Sequence, residues 1–212
     1  MRGTSALTGV AVGIHLYVII PFVVFLVFIA VLVGGRKLVM GYVGQLYDTE
    51  QYDELVDFLD TAIAKFLYPR YNRTYAKFNA YLAMGDAEKC GRALDELLTM
   101  QTSGAQRRDL IVKAFEFYMN TGRYKDAKAL LPEIDSLGDE ALARRTELTY
   151  DVIARKSYSH IAEMEEEIAG DVSHARKIEL SYLLSLQYRN KGDEKTADTW
   201  KAEAEKLLGM SL

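Results

Sequence analysis

Between Arg2 and Arg36 the chain has no Asp, Glu, Lys or Arg, and its densest stretch, Ile14 to Val33, reads IHLYVIIPFVVFLVFIAVLV. A helix of that length reaches about 30 Å, the thickness of a bilayer's hydrocarbon core. Apolar on every side, it has no face to offer water and is too long for a core helix in a chain this size. The stretch predicts one transmembrane helix over residues 14–35, after a short N-terminal segment of residues 1–13. Pro21 falls in its first turns, where a missing N–H is tolerated in lipid. His15 and Tyr17 lie near one end, at a depth suited to headgroups. The competing reading is a cleaved signal peptide, whose apolar core runs about 7–15 residues behind a basic start. Here the run is longer and only Arg2 precedes it, which favours a retained anchor.

The flanks set an orientation. Arg36 and Lys37 abut the C-terminal end of the run, whereas Arg2 stands well clear of the other end. The positive-inside bias then places residues 36–212 in the cytoplasm. Ala30-x-x-x-Gly34 and Gly9-x-x-x-Gly13 have the spacing that lets two helices approach closely, so a homodimer through the span is open to this chain. The lipid bilayer, met through residues 14–33, is its first expected partner.

Beyond Val33 the apolar residues recur at three- and four-residue spacing without strand-like alternation, which predicts an all-α region. Twenty-six Lys and Arg against thirty Asp and Glu leave a formal charge of −4, without the basic field that nucleic-acid binding needs. The single cysteine, Cys90, excludes an intrachain disulfide and any Cys-pair zinc site. His160 and His174 stand without acidic partners at ligand spacing, and no phosphate-cradling glycine loop is present. Neither a metal, a cofactor nor catalysis is expected. The acidic run Glu163, Glu165, Glu166 and Glu167 reads as a solvated helix face.

The region also repeats. Four segments align: EQYDELVDFLDTA from Glu50, GDAEKCGRALDEL from Gly85, GRYKDAKALLPEI from Gly122 and GDEKTADTWKAEA from Gly192. A weaker fifth, KSYSHIAEMEEEI, begins at Lys156, and successive starts are 35, 37, 34 and 36 residues apart. Five residues into each segment stands Leu55, Cys90, Ala127, Ile161 or Ala197, small or aliphatic as close helix packing requires. Tyrosines recur in two further columns, at Tyr52, Tyr124 and Tyr158 and at Tyr81, Tyr118 and Tyr188. Gly85, Gly122 and Gly192 are placed to end one helix in a left-handed conformation, and Asp86 and Asp193 to cap the next.

In these features, best seen in YLAMGDAEKC from Tyr81 and YMNTGRYKDA from Tyr118, the chain resembles a tetratricopeptide repeat protein over about residues 36–208. It departs from that pattern where Phe78, Phe115, Thr149 and Ser185 replace the usual small residue of the first helix. The resemblance implies a right-handed α-solenoid of about five helical hairpins over residues 36–212, behind the transmembrane helix. The first helix of the first hairpin would be Arg36 to Tyr47, either continuous with the span or hinged at Gly34-Gly35. Pro132 falls inside a second helix and is expected to shorten it.

The resemblance also implies a concave groove lined by the first helices. By repeat position it would include Tyr75, Asn79, Glu116, Asn120, Tyr150, Tyr182 and Arg189, along with Asn72, Leu82, Asp109, Val112, Met119, Thr146, Ile153, Leu186 and Asn190. The family's chaperone-binding members grip a C-terminal carboxylate with lysines and an arginine. The matching positions here hold Tyr75, Ala143 and Glu147, with only Asn79 in agreement, so that activity is not expected. The implied function is a membrane-anchored adaptor or scaffold that binds a protein or peptide in the groove. The alternative is a structural or assembly subunit of a larger membrane complex. Small anchored repeat proteins of this layout resemble bacterial ones, which implies a bacterial cell membrane.

Overall fold

The computed structural model describes the backbone of residues 5–209 and the side chains of residues 20–209. Among these, all regular secondary structure is helical and no strand occurs. The helices are α1 (Ser5–Asp48), α2 (Tyr52–Asp60), α3 (Ala62–Leu67), α4 (Arg70–Ala83), α5 (Ala87–Leu98), α6 (Gly104–Asn120), α7 (Tyr124–Asp135), α8 (Glu140–Ile153), α9 (Ile161–Ala169), α10 (His174–Lys191) and α11 (Glu194–Gly209). The chain divides into two compact units, Met1–Met100 and Gln101–Leu212. The side chains of His15 and Tyr17 and the Gly9-x-x-x-Gly13 pair lie outside the described side chains.

In the first unit α1 is one helix of 44 residues. It passes through Pro21 and through Gly34-Gly35 without a break, so no hinge forms there. The helix already begins at Ser5, so residues 5–13 of the expected N-terminal segment are helical too. Its character changes along its length. From Ile20 to Val31 every side chain is exposed, whereas Val39, Val43 and Leu46 form a buried stripe at four- and three-residue spacing. That stripe meets Leu55 and Leu59 of α2 and Ala80 of α4. The upper part gains nothing from water, since each large apolar side chain left exposed forgoes about 1.5–3 kcal/mol of burial. One helix here is long and apolar enough to cross a membrane.

The segment after Glu50 is not a single second helix. It breaks at Thr61, whose backbone is extended between α2 and α3. The Thr61 hydroxyl donates to the Phe58 carbonyl at 2.7 Å and accepts from the Ala64 amide at 3.2 Å, closing one helix and opening the next. Then α4 and α5 pack as a pair. Between them Gly85 takes φ +72°, which a side chain would resist, and the Asp86 carboxylate accepts from the Lys89 amide at 3.0 Å.

In the second unit α6 packs with α7 and α10 with α11, joined at Gly122 and Gly192, both with positive φ. Asp193 caps α11 through the Thr196 amide at 3.1 Å. α8 lies against α6, α7 and α10, whereas α9 packs chiefly on α10. Leu148 and Val152 of α8, Met164 of α9 and Leu180, Leu183 and Leu184 of α10 share one core. Pro132 does not shorten α7, which runs on to Asp135. Pro132 costs the helix a single hydrogen bond, at the carbonyl of the exposed Lys128, and its own carbonyl still accepts from the Ser136 amide.

The packing column needs one correction. The fourth residue of α2, α5, α7, α9 and α11 is Leu55, Cys90, Ala127, Met164 and Ala197, and each is 0% exposed. For α9 the sequence alignment pointed to Ile161, which is only half-buried. Ile161 is the first residue of that helix, because the preceding loop runs three residues further than the alignment assumed.

Candidate functional site

Each unit carries a cleft, and each cleft is built within its own unit. In the first, about 390 Å³ opens between the last turns of α1 and the start of α4. Buried Val43 and Leu55 lie at its base, with Tyr47, Tyr68, Tyr71, Tyr75 and Asn79 around it. Tyr75 stacks on Tyr71 with ring centroids 5.8 Å apart, which fixes both rings on one face of α4. Gly44 also lines the cleft, and a Cβ there would meet nothing within 4 Å.

In the second unit a cleft of about 230 Å³ lies between α6 and α8 and reaches Glu179 of α10. Val112, Glu116, Met119 and Asn120 line one wall, and Thr146, Thr149 and Ile153 the other. Arg145 and Glu179 close one side as an ion pair at 2.6 Å, and Glu179 also meets Arg176 at 3.1 Å. Glu116 and Asn120 are exposed at the mouth, and Glu116 has no ion-pair partner among the described residues. The cleft is therefore apolar inside and carries one uncompensated negative charge. A larger hollow of about 510 Å³, near Arg144, Arg145 and Arg176, has its cations matched by Glu163, Glu179 and Glu167.

The seven residues proposed from the sequence do not share one fate. Tyr75 and Asn79 line the first cleft; Glu116 and Asn120 line the second. Tyr150 is no exposed anchor: it is 7% exposed, with the Arg155 guanidinium 5.5 Å from its ring centre. The reason is that α8 is covered on two sides. Leu148 and Val152 enter the core with α9 and α10, while Thr146 and Tyr150 are buried one turn apart on another side. Tyr182 is exposed but lines neither cleft, and Arg189 is drawn to Glu194 and Asp198 of α11 at 3.3 and 3.4 Å. Asn190 is likewise committed, donating to the carbonyls of Val152 and Ser157 at 3.0 and 3.1 Å.

Sequence reasoning missed the contribution of α1 to the first cleft, and the tyrosines beside it. Tyr71 and Tyr75 recur at four-residue spacing, a helical-face signal that was available. It also misjudged two sets of charges. His160 does meet carboxylates, Asp151 at 3.3 Å and Glu163 at 3.6 Å, because the loop after α8 folds back. No group of three or more His, Cys, Asp or Glu side chains among the described residues could hold a metal ion. The acidic run on α9 stays at the surface, with Glu163 and Glu166 exposed and Glu165 and Glu167 half-buried, but three of its carboxylates have partners: Glu163 pairs with Arg144, Glu165 accepts from the Tyr188 hydroxyl at 2.6 Å, and Glu167 pairs with Arg176 at 2.8 Å. The Arg144 hydrogen bond holds the Glu163 carboxyl below the usual range, and the Glu165 acceptor pushes the Tyr188 phenol up to about 12. Cys90 is buried against the Phe78 carbonyl, and burial pushes its thiol up to about 11, the opposite of an activated nucleophile. Asn72-Arg73-Thr74, which has the N-glycosylation spacing, lies inside α4 with Thr74 buried.

The chain matches no family model, no curated protein and no solved structure.

Proposed function

We propose that this chain is a single-pass membrane adaptor whose helix pairs, of the tetratricopeptide kind, hold a protein or peptide partner beside the bilayer. The cleft between α6 and α8 carries the reading. Its lining includes Val112, Glu116, Met119, Asn120, Thr146 and Ile153, the positions expected to line a groove if α6, α8 and α10 are the first helices of successive repeats. Glycines with positive φ at Gly85, Gly122 and Gly192 and the buried fourth residue of each second helix support the same repeat. In the second unit, α6 to α11 then form three turns of a solenoid with the cleft on its inner side.

The chemistry of the cleft selects its occupant. An apolar interior with Glu116 at the mouth suits a neutral or weakly basic segment that inserts one aliphatic side chain. The exposed apolar length of α1 is the anchor, and Arg36 and Lys37 at its end favour a cytoplasmic repeat domain. No catalytic role, metal or cofactor enters this reading.

The test is co-purification from native membranes with the span intact, with partners identified by mass spectrometry. Glu116→Lys with Asn120→Ala, both at exposed positions, should cut partner recovery about tenfold, or about 1.4 kcal/mol, without altering helix content. Replacing residues 11–35 with an unrelated span should spare capture. If the span swap abolishes recovery while the groove variant keeps it, the affinity lies in the membrane. The chain is then a structural or assembly subunit of a larger complex.

A further inference from the structure

α3 is a short helix that the repeat does not require. It is nevertheless fastened at both ends. Thr61 caps its start through the Ala64 amide at 3.2 Å, and Arg73 Nη1 donates to the Lys65 and Tyr68 carbonyls at its end, at 2.9 and 2.8 Å. Its inner side is packed: Ala64 is 0% exposed, and Leu67 touches α1 at Gly35. Its outer side presents Ile63 and Phe66, one turn apart and 63% and 69% exposed. A helix held this firmly, only to show its two largest outward side chains to water, wastes their burial.

The level of α3 along α1 supplies the missing solvent. Gly35 stands two residues past Val33, the last residue of the apolar run, or about 3 Å further along the helix axis. α3 therefore sits where α1 would leave the hydrocarbon. The charges nearby suit that level. Arg36, Lys37 and Lys65 are exposed, and the acid closest to α3, Asp60, is paired with Lys77 at 2.6 Å and Lys65 at 3.6 Å.

We infer that α3 is an interfacial helix: Ile63 and Phe66 enter the leaflet that α1 leaves at Gly35, and Arg36, Lys37 and Lys65 face its lipid phosphates. This rests on the reading that α1 crosses the bilayer. The first unit then has two attachments to one membrane, the span and α3. An apolar pair fringed by cations is the pattern of a surface-bound helix, and it binds anionic lipid more tightly than zwitterionic lipid.

The test uses the full chain at one copy per lipid nanodisc. Trp200→Phe removes the only tryptophan, and a reporter is then introduced by Phe66→Trp, Ile63→Trp or, within the span, Phe25→Trp. Lipids brominated near the headgroup should quench the Phe66→Trp and Ile63→Trp indoles by about twofold or more, and lipids brominated at mid-chain should quench them less. The Phe25→Trp indole should show the reverse order. If the Phe25→Trp indole is quenched by neither lipid, the span reading fails, and the interfacial helix falls with it. If that indole is quenched and the other two are not, α3 faces water or protein, and the inference alone is overturned. An unquenched Phe66→Trp indole that is also shielded from aqueous iodide would show a protein cover, and it counts against the inference equally.

Discussion

Leu67 places its Cδ1 3.0 Å from the point where a Cβ on Gly35 would stand, so α1 and α3 meet across a glycine. At the neighbouring Gly34 an added Cβ would meet nothing within 4 Å. Gly34→Leu should therefore be tolerated and stiffen α1, gaining up to about 1 kcal/mol of helix propensity. Gly35→Leu should displace Leu67 and loosen α3. Limited proteolysis across residues 61–68 measures this, and equal cleavage in the two variants would refute the contact.

Ala127 is 0% exposed at the end of the first turn of α7 and belongs to the column of fourth residues. Ala127→Leu should overpack the joint with α6 and cost about 1–3 kcal/mol. Ala129→Leu, two residues on at an exposed position, should leave the denaturation midpoint within about 0.5 kcal/mol of the wild type. Indistinguishable midpoints for the pair would remove the basis for the column.

The Cys90 thiol should behave as a core atom. It is buried, and burial pushes its pKa up to about 11, so at neutral pH it is both shielded and protonated. Labelling by an aromatic disulfide should be limited by opening of the first unit and should accelerate sharply across its unfolding transition. Fast labelling of the native chain would show that α5 does not pack as described.

Acid should release α9 early. Its one fully buried side chain is Met164, with Ile161 and Ile168 only partly buried beside it, and its polar ties are the carboxylates of Glu163, Glu165 and Glu167. The folded-state pKa of Glu163 lies below its ordinary value of 4.5, so its contribution is complete above that value and is lost as the pH falls through the lowered one. Glu133 on α7 is lowered in the same way by Arg107, but α7 also buries Ala127, Leu130 and Ile134. On acidification below about pH 4.5, amide exchange should therefore rise in α9 before α7. Glu163→Gln should cost about 1 kcal/mol or less at neutral pH, since the pair with Arg144 is roughly half exposed.

What could be read from the sequence is what depends on near neighbours. An uncharged apolar run predicts a helix that water cannot solvate, whatever lies around it. Helix ends obey the same locality: the left-handed turns at Gly85, Gly122 and Gly192 and the caps at Asp86 and Asp193 are satisfied by atoms within a few residues. The recurrence that places Leu55, Cys90, Ala127 and Ala197 in the core is also a property of order along the chain. Tertiary structure decided everything that turns on which element covers which face. Tyr150 reads as a groove tyrosine by position, yet it is buried because α8 is covered on two sides. The acidic run on α9 reads as a solvated face, but that its carboxylates find Arg144, Arg176 and Tyr188 from other helices is not written in the run. Arg189 and Asn190 are spent on Asp198 and on the carbonyls of Val152 and Ser157, partners that periodicity does not reveal. The first cleft needed α1 beside α4, a pairing of residues some thirty positions apart whose contact only the packed chain provides.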